Sequence, residues 1–236
     1  MQKNILDKRL STAADFVPSG AVLADIGSDH ALLPISLALN GKIKAGLASD
    51  INEGPVLAAR KNICAYGVGD IVTAQRADGL YGVEKFSPDC ITILGMGGEL
   101  IVRIIDNAPW VKDSSIRLIL QPMTHAEMLS RYLCDRGFII VDDRIIRESE
   151  RDDRIYRIMV AHFDAQARSL SDAEHFVGTK NLERLDEPTA AYIKRIINMF
   201  NTKKQGKMSG GHDCTYEDGI IRQLQSYIKD GDYENT

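Results

Sequence analysis

Short apolar stretches alternate with amphipathic stretches as far as about residue 135. Five of the apolar stretches have the length and composition of buried strands: AVLADIG (21–27), AGLASDI (45–51), IVTAQRA (71–77), CITILGM (90–96) and IRLILQP (116–122). Between them, stretches such as PVLAARKNICAYG and ELIVRIIDNAPWV have apolar residues at i, i+3, i+4 and i+7, which is typical of a helix with one buried face. This alternation predicts a parallel α/β sheet with crossover helices.

A further amphipathic stretch precedes the first strand. Its apolar residues recur at roughly helical spacing; they are Ile5, Leu6, Leu10, Ala13, Ala14 and Val17. The pattern ends at the segment PSG (18–20), because proline and glycine disfavour continuation of a helix. We expect an N-terminal helix that packs beside the functional site.

Two long strand-like stretches follow one another near residue 150. They are FIIVDDRIIRES (138–149) and RIYRIMVAHF (154–163), with no helical segment between them. They predict a hairpin that closes the parallel sheet with one antiparallel strand. A dinucleotide-binding dehydrogenase would continue β-α-β winding here, whereas this closure is typical of the Rossmann-like α/β sheet of class I methyltransferases.

From about residue 165 the strand patterns end and helical periodicity returns. The apolar residues form three groups: Leu182 and Leu185; Ile193, Ile196, Ile197 and Phe200; and Ile220, Ile221, Leu224, Tyr227 and Ile228. Pro188 interrupts the first stretch, and the segment NTKKQGKMSGGHD separates the last two. We predict a sheet domain at 1–164 and an appended antiparallel, coiled-coil-like helical domain at 165–236.

Composition narrows the class of protein. Hydrophobic residues make up 44% and charged residues 26% of the chain, which indicates a globular protein. No run approaches the roughly 18 apolar residues of a membrane helix, and the start MQKNILDKRL lacks the apolar core of a signal peptide. We therefore expect a cytoplasmic protein, with no membrane association and no obligate protein partner evident.

The cysteines and histidines give no metal motif. Cys64, Cys90, Cys134 and Cys214 form no C-x-x-C pair, and no histidine lies near them at zinc-ligand spacing. We expect reduced, structural thiols and no metal site.

One segment departs from the acidic balance of the chain, whose formal net charge is −4. From Pro188 to His212 there is no acidic residue, and five residues are basic: Lys194, Arg195, Lys203, Lys204 and Lys207. Such a patch suits the phosphates of RNA. The alternative interpretation is a solvated helix face followed by a flexible turn.

The richest candidate site is ADIGSDHALLP (24–34), where the first strand runs into Gly27 and then into a helix. Ligands of open α/β sheets bind beyond the carboxyl ends of the strands, and glycine allows close backbone approach. The G-x-G-x-x-G cradle for a pyrophosphate is missing, while Asp25 and Asp29 flank Gly27. This suits a ligand with an ammonium and a sulfonium, as in S-adenosylmethionine (SAM). Alternatively, Asp29 only caps the following helix.

Acidic residues also end the next two strands. Asp50 lies about 20 residues beyond the first turn, where a carboxylate can accept hydrogen bonds from ribose hydroxyls. Asp78 and Gly79 end the third strand, where the carboxylate could bind an adenine amino group. This arrangement predicts an adenosine-containing cofactor.

The fourth and fifth strands end in LGMGG and LQP. Gly95, Met96 and Gly97 leave an edge made largely of backbone, which a flat base could approach. The N-P-P-Y or D-P-P-Y run of amino-group methyltransferases is absent, which argues against an exocyclic nitrogen target. Gln121 offers a donor and an acceptor and Pro122 stiffens the rim, unless this is only the start of a loop.

Together, RLSTAADFVPSGAVLADIGSDHALLP, SDINEGP, ADGL, ITILGMGGELI and RLILQP resemble the bacterial tRNA adenine-22 N1-methyltransferase family over about residues 5–163. The resemblance implies a SAM domain with a C-terminal helical, coiled-coil-like domain, and methyl transfer from SAM to N1 of an adenine in the D-arm region of tRNA. It implies that Gly27, Asp50, Asp78, Gly79, Gly95, Met96 and Gly97 line the cofactor. Asp29, His30, Gln121 and Pro122 would face the methyl group and the base, and Lys8 and Arg9 would hold RNA near the mouth.

Three other functions stay open at this stage. A small-molecule SAM methyltransferase explains the first 163 residues equally well. A noncatalytic RNA-binding protein with a SAM-type fold would bind tRNA without transferring a methyl group. A nicotinamide-dependent oxidoreductase fits less well, because the glycine cradle is missing.

Overall fold

A seven-stranded sheet organises the protein. The computed structural model describes residues 6–149 and 152–228. The strands are β1 (Ala21–Ile26), β2 (Ile43–Asp50), β3 (Val72–Arg76), β4 (Cys90–Gly97), β5 (Arg117–Thr124), β6 (Phe138–Ser149) and β7 (Asp152–Phe163). Their order is β3-β2-β1-β4-β5-β7-β6, and β7 is antiparallel to both β5 and β6. The predicted parallel sheet and its closing hairpin are therefore confirmed.

Helices cover both faces of this sheet. They are α1 (Lys8–Phe16), α2 (Leu32–Leu39), α3 (Glu53–Ala65), α4 (Gly98–Asp106), α5 (Ala126–Asp135), α6 (Asp172–Val177), α7 (Thr179–Arg184), α8 (Glu187–Ser209) and α9 (Thr215–Gln225). Short 3-10 turns occur at Val83–Phe86 and Pro109–Val111.

The strands are apolar on both sides because two cores flank the sheet. Ile91 and Ile93 face a core that includes Ile101 of α4 and Leu129 of α5. Leu94 faces the other core, which α1, α2 and α3 complete. Successive side chains of a strand point to opposite faces, so a sheet with helices on both faces needs near-continuous apolar strands.

The predicted N-terminal helix is confirmed, but it begins at Lys8, after the first apolar residues of the pattern. The Asp7 side chain accepts a hydrogen bond from Leu10 N at 2.7 Å and caps α1, and the helix ends two residues before Pro18. Ala13 and Val17 are buried in the second core. Of the apolar residues that predicted this helix, Ile5 lies outside the described residues.

The C-terminal helices pack on the hairpin through their own apolar cluster. Ile145 of β6 joins Phe176 of α6, Ile193 and Phe200 of α8, and Leu224 of α9 in this cluster. The helices α8 and α9 form the expected antiparallel pair, while the division at 164/165 stays a prediction.

The segment that we interpret as a flexible turn is largely helical. α8 runs from an Asp186 cap through Pro188 in its first turn and on to Ser209, so it includes most of NTKKQGKMSGGHD. Gly206 costs only about 1 kcal/mol in a helix interior. Ion pairs from Lys204 to Asp218 (2.5 Å) and from Lys207 to Glu217 (2.8 Å) join this part of α8 to α9. Local helix propensity does not include these contacts between helices, so the sequence pattern did not predict that α8 continues to Ser209.

Candidate active site

A cavity of about 860 Å³, here called the strand-end cavity, lies at the carboxyl ends of β1, β2, β3 and β4. Five of the residues predicted to bind the cofactor line it: Gly27, Asp50, Asp78, Gly79 and Met96. They come from four strand ends because parallel strands bring those ends to one edge of the sheet.

Helix α4 supplies a wall that the sequence interpretation missed. Leu100, Arg103, Ile104 and Asn107 line the cavity, and their spacing of i, i+3, i+4 and i+7 places them on one helix face. That spacing, directly after LGMGG, could have identified this wall from the sequence. Tyr81, which is 86% exposed, also lines the cavity.

The turn after β1 fits closely against Met96. Gly27 has a φ of +71°, and a Cβ placed there would lie 2.1 Å from Met96 Cε. The backbone N–H groups of Gly27 and Ser28 both donate to the Ser49 carbonyl, at 2.8 and 2.9 Å. These bonds fix the turn to β2 beside the cavity.

The cavity carboxylates retain hydrogen-bonding capacity. Oδ1 of Asp50 accepts from Asn52 N at 2.7 Å, and its Oδ2 accepts no hydrogen bond from the described residues. The Asp78 side chain likewise accepts none from the part of the chain that the structure describes. With Arg103, these two aspartates leave the wall with one net negative charge.

Asp25 does not line the cavity, although it flanks Gly27 in sequence. It is buried within the sheet, where its Oδ1 accepts from Thr92 Oγ1 at 2.7 Å. Burial raises the pKa of the Asp25 carboxyl, while the nearby Ser28 side chain, the hydrogen bond from Thr92 and the charge of Arg9 oppose this rise. The interpretation of Asp25 as a direct cofactor contact is therefore replaced by a role inside the sheet.

Asp29 and His30 lie on the exposed loop between Gly27 and α2. His30 Nε2 is 3.4 Å from Asp29 Oδ1, and both side chains are more than half exposed. The N-cap of α2 is Ala31, which makes no side-chain capping bond, so the alternative that Asp29 caps this helix is wrong. His30 and Ala31 both have positive φ, at 66° and 55°. Such costly conformations cluster at functional sites.

Gln121 is a buried residue beside the cavity, and its side chain hydrogen-bonds to several segments. Its Oε1 accepts from Gly95 N at 3.0 Å and from Arg9 Nη1 at 3.2 Å, and its Nε2 donates to the Pro122 carbonyl at 3.1 Å. A buried amide must satisfy its polar atoms within the protein. Gln121 therefore positions neighbouring groups and does not face a substrate, contrary to the sequence interpretation.

Through Gln121, Arg9 of α1 is linked to the end of β4. Arg9 also lies 3.8 Å from Asp7 and 5.9 Å from the centre of the Tyr156 ring. The backbone N–H of Lys8 donates to Glu148 of β6 at 3.0 Å. These contacts place the predicted RNA-binding pair, Lys8 and Arg9, beside the strand ends.

The glycines after β4 allow close packing of the strand ends. Gly95 has a φ of +78° and lies beside Arg9, and a Cβ on Gly98 would meet the His125 carbonyl oxygen at 2.5 Å. Gly97 caps α4. Gly95 and Gly97 do not line the strand-end cavity, although Met96 between them does.

A second cavity of about 430 Å³, here called the hairpin cavity, lies between the end of β5, strand β7 and the C-terminal helices. Its wall consists of residues 122–127 and 154–157, Phe176 of α6, and the α8 residues Tyr192, Arg195, Ile196 and Met199. Pro122 and Arg195, both predicted functional residues, meet here.

The predicted basic patch divides into separate groups. Lys204 and Lys207 are paired with carboxylates of α9, and Lys203 Nζ lies 5.1 Å from the centre of the Phe200 ring. Lys194 and Arg195 are exposed, but only Arg195 reaches the hairpin cavity. The patch therefore offers fewer free cations than its sequence indicates.

The described residues contain neither a membrane-spanning helix nor a cluster of metal-ligating side chains. No helix among them has the length and apolarity to cross a bilayer. In the same residues, no three histidine, cysteine or acidic side chains converge in a way that could hold a metal ion.

The chain matches known proteins over most of its length. The methyltransferase domain family matches residues 6–159. The tRNA (adenine(22)-N(1))-methyltransferase of Bacillus subtilis (strain 168) is 39% identical over 156 residues, which are 66% of this chain and 64% of that relative.

Solved structures extend the match to the C-terminal helices. The B. subtilis M1A22 tRNA methyltransferase TrmK is 30% identical with a TM-score of 0.80, and the match covers 95% of this chain and 96% of that one. Streptococcus pneumoniae Sp1610 in complex with S-adenosyl-L-methionine is 31% identical with a TM-score of 0.83, over 95% and 100% of the two chains. The chain therefore belongs to the methyltransferase domain family and, within it, to the family of the tRNA (adenine(22)-N(1))-methyltransferases.

Proposed function

We propose that this protein is a cytoplasmic, SAM-dependent methyltransferase that methylates N1 of adenine 22 in tRNA. The observation that supports it most is the strand-end cavity, which gathers Gly27, Asp50 and Asp78 at one edge of the sheet. The family and the two solved structures support the same activity. Their match includes the C-terminal helices, which a sheet domain acting on small molecules does not require.

The residues of the strand-end cavity fit SAM. A cavity of about 860 Å³ is within the usual range for a cofactor. Asp50 has a free carboxylate oxygen for ribose hydroxyls, and Asp78 has an unused carboxylate for the adenine amino group. The net negative wall suits a ligand with two positive charges and one carboxylate. Gly27 lines the cavity with backbone, because it carries no side chain.

Catalysis would depend mainly on alignment and desolvation. When bound, SAM supplies a sulfonium methyl group that the in-plane lone pair of adenine N1 can accept directly, without a covalent enzyme intermediate. An enzyme that acts on a base must first draw it out of its stack. In this proposal Asp29 accepts a hydrogen bond from the adenine N6 amino group and stabilises the charge that develops on the base. His30, 3.4 Å away, orients Asp29.

The deciding experiment supplies purified protein with unmodified tRNA and isotopically labelled SAM. The tRNA is then digested and the labelled nucleoside is identified by mass spectrometry. We expect labelled 1-methyladenosine, and no label in a matched transcript that carries guanine at position 22.

Other results would reject the proposal. SAM binding with no label in tRNA would indicate a small-molecule acceptor. Binding of tRNA without methyl transfer at any position would indicate a noncatalytic RNA-binding protein. Label at another nucleoside would contradict the proposed target atom.

A further inference from the structure

The hairpin cavity is a concave site that is not part of the proposed cofactor site. Three segments that are distant in sequence form it: residues 122–127, residues 154–157 and the face of α8 that carries Tyr192, Arg195 and Met199. It shares no lining residue with the strand-end cavity. It is therefore a second concave site at the same end of the sheet.

The two cavities are neighbours across one pair of strands. Met96 lines the strand-end cavity, Pro122 lines the hairpin cavity, and these two residues are register partners of β4 and β5. Neighbouring strands lie about 4.8 Å apart. A polymer that places one unit at the strand-end cavity can therefore place an adjoining unit in the hairpin cavity.

The lining of the hairpin cavity combines flat apolar surface with cations. Tyr192 provides a half-buried ring, whereas Tyr156 and Phe176 are only 8% and 7% exposed, and the apolar side chains of Met123 and Met199 are exposed at the rim. Aromatic side chains are the usual stacking surfaces for unpaired bases.

Charge at the rim suits a phosphate. Arg195 is exposed and makes no hydrogen bond or ion pair with any described residue. The charge of Arg157 is neutralised by Asp143, whose Oδ2 lies 2.6 Å from Arg157 Nη2. Glu127 is the acidic residue of the wall. Arg195 can therefore pair with a phosphate at the rim.

We propose that the hairpin cavity holds an unstacked nucleotide of the RNA substrate that adjoins the methylated adenine and is not itself methylated. This inference rests on the proposed function. The base packs against Tyr192, Met123 and Met199, and its phosphate pairs with Arg195. A reacting nitrogen must come within about 3 to 3.5 Å of the methyl group. Because the hairpin cavity shares no lining residue with the strand-end cavity, we assign that position to the methylated adenine and the hairpin cavity to its neighbour.

The test compares substitutions in the hairpin cavity with matched substitutions at exposed positions outside it. Arg195→Ala removes the rim cation, and Met199→Trp fills the cavity from an exposed position. As controls, Lys61→Ala removes an exposed cation of α3 and Asn198→Trp adds a tryptophan at an exposed position of α8, and neither residue lines the cavity. Methylation of tRNA is measured against tRNA concentration at saturating SAM, and the Kd for SAM is measured by calorimetry.

We expect both cavity variants to raise the KM for tRNA by about fivefold or more, because each impairs contact with one nucleotide. Their kcat and their Kd for SAM stay within about twofold of wild type, as do all constants of the two control variants. An unchanged KM in both cavity variants overturns the inference. So does a loss confined to kcat, which would place the reacting base in the cavity, or an equal loss in the controls. Failure of the wild-type protein to methylate tRNA would instead reject the proposed function.

Discussion

Gly27 shows how one residue combines a backbone requirement with a packing requirement. Its positive φ favours glycine, and Met96 Cε occupies the space that a Cβ would need. Gly41 also has a positive φ, of +64°, but a Cβ there would meet no atom within 4 Å. A comparison of the two glycines therefore separates the effect of backbone strain from the effect of steric exclusion.

We predict that Gly27→Ala weakens SAM binding by about tenfold or more, because Met96 must move into the cavity. Left-handed backbone costs an alanine about 1 kcal/mol, so both Gly27→Ala and Gly41→Ala should lower Tm by a few degrees. Only Gly27→Ala should change the Kd for SAM, as measured by calorimetry. Equal SAM affinity in the two variants would contradict this account of the turn.

A second residue-scale prediction concerns Asp50. Hydrogen bonds to a charged group contribute about 1.5 to 3 kcal/mol, so Asp50→Ala should raise the Kd for SAM by about 10- to 100-fold. Asp70→Ala, an exposed aspartate away from the cavity, is the control. If both variants bind SAM like the wild type, Asp50 does not contact the ribose.

Asp29 tests the chemical proposal separately from cofactor binding. Asp29→Asn removes the negative charge while keeping the size of the side chain, so we expect kcat on tRNA to fall by about tenfold or more. The Kd for SAM should change little, because Asp29 lies outside the strand-end cavity. Normal turnover by this variant would remove Asp29 from the mechanism.

At the scale of elements, a buried polar network joins the hairpin to the C-terminal helices. Arg157 of β7 pairs with Asp143 of β6 and donates to the carbonyls of His175 and Phe176, at 2.6 and 3.1 Å. Asn181 of α7 also donates to Asp143, at 2.9 Å. Burial alone lowers the pKa of Arg157, but the Asp143 carboxylate outweighs it and raises that pKa. Arg157 is therefore a permanent charge that holds α6 to the sheet.

His175 gives this network a pH dependence. Its Nδ1 lies 3.0 Å from Ser130 Oγ of α5, and burial, followed by the charges of Arg131 and Arg157, lowers its pKa. The folded state therefore binds fewer protons at His175 than the unfolded state, whose histidine pKa is about 6.5. The stability contributed by neutral His175 is complete above that value and is lost as the pH falls below it.

We predict that the free energy of unfolding, measured with urea, is smaller at about pH 5.5 than at about pH 7.5. His175→Gln should reduce this difference, because glutamine does not titrate. His212→Gln changes an exposed histidine and should retain the wild-type difference. The same pH dependence in all three proteins would show that His175 does not contribute.

At the scale of the whole molecule, the C-terminal helices complete the packing of the sheet. Ile145 of β6 is 2% exposed only because α6, α7 and α8 cover it. The ion pair of Asp143 and Arg157 makes three hydrogen bonds with residues of α6 and α7. The proposed boundary at residue 164 therefore separates regions that share buried surface.

We predict that a chain ending at Asp164 loses its cooperative thermal transition or melts far below the full chain. Each buried polar group left without its partner costs about 1 to 3 kcal/mol, and the apolar face of the hairpin becomes exposed to water. Circular dichroism and size-exclusion chromatography would measure this. A truncated chain that melts cooperatively near the full-length Tm would establish 1–164 as an independent domain.

Local patterns predicted most of the fold and part of the site. The strand and hairpin segments, the N-terminal helix and the interruption of the helical pattern at Pro188 all follow from periodicity and from the restrictions that proline imposes, which act over a few residues. Gly27, Asp50, Asp78 and Gly79 were found because each ends a parallel strand, and such ends meet at one edge. The end of α8 was missed because its contacts are with α9.

The sequence by itself determined the sheet, its closure and the residues at the strand ends, because these depend on spacing along the chain. Tertiary structure alone decided which strand-end side chains face a cavity. Asp25 bonds Thr92 and Gln121 bonds Arg9, 112 residues away, since a buried polar group takes whatever partner the assembled core supplies. The hairpin cavity likewise exists only where segments near residues 125, 155 and 195 meet. No local pattern encodes a surface built from segments so far apart.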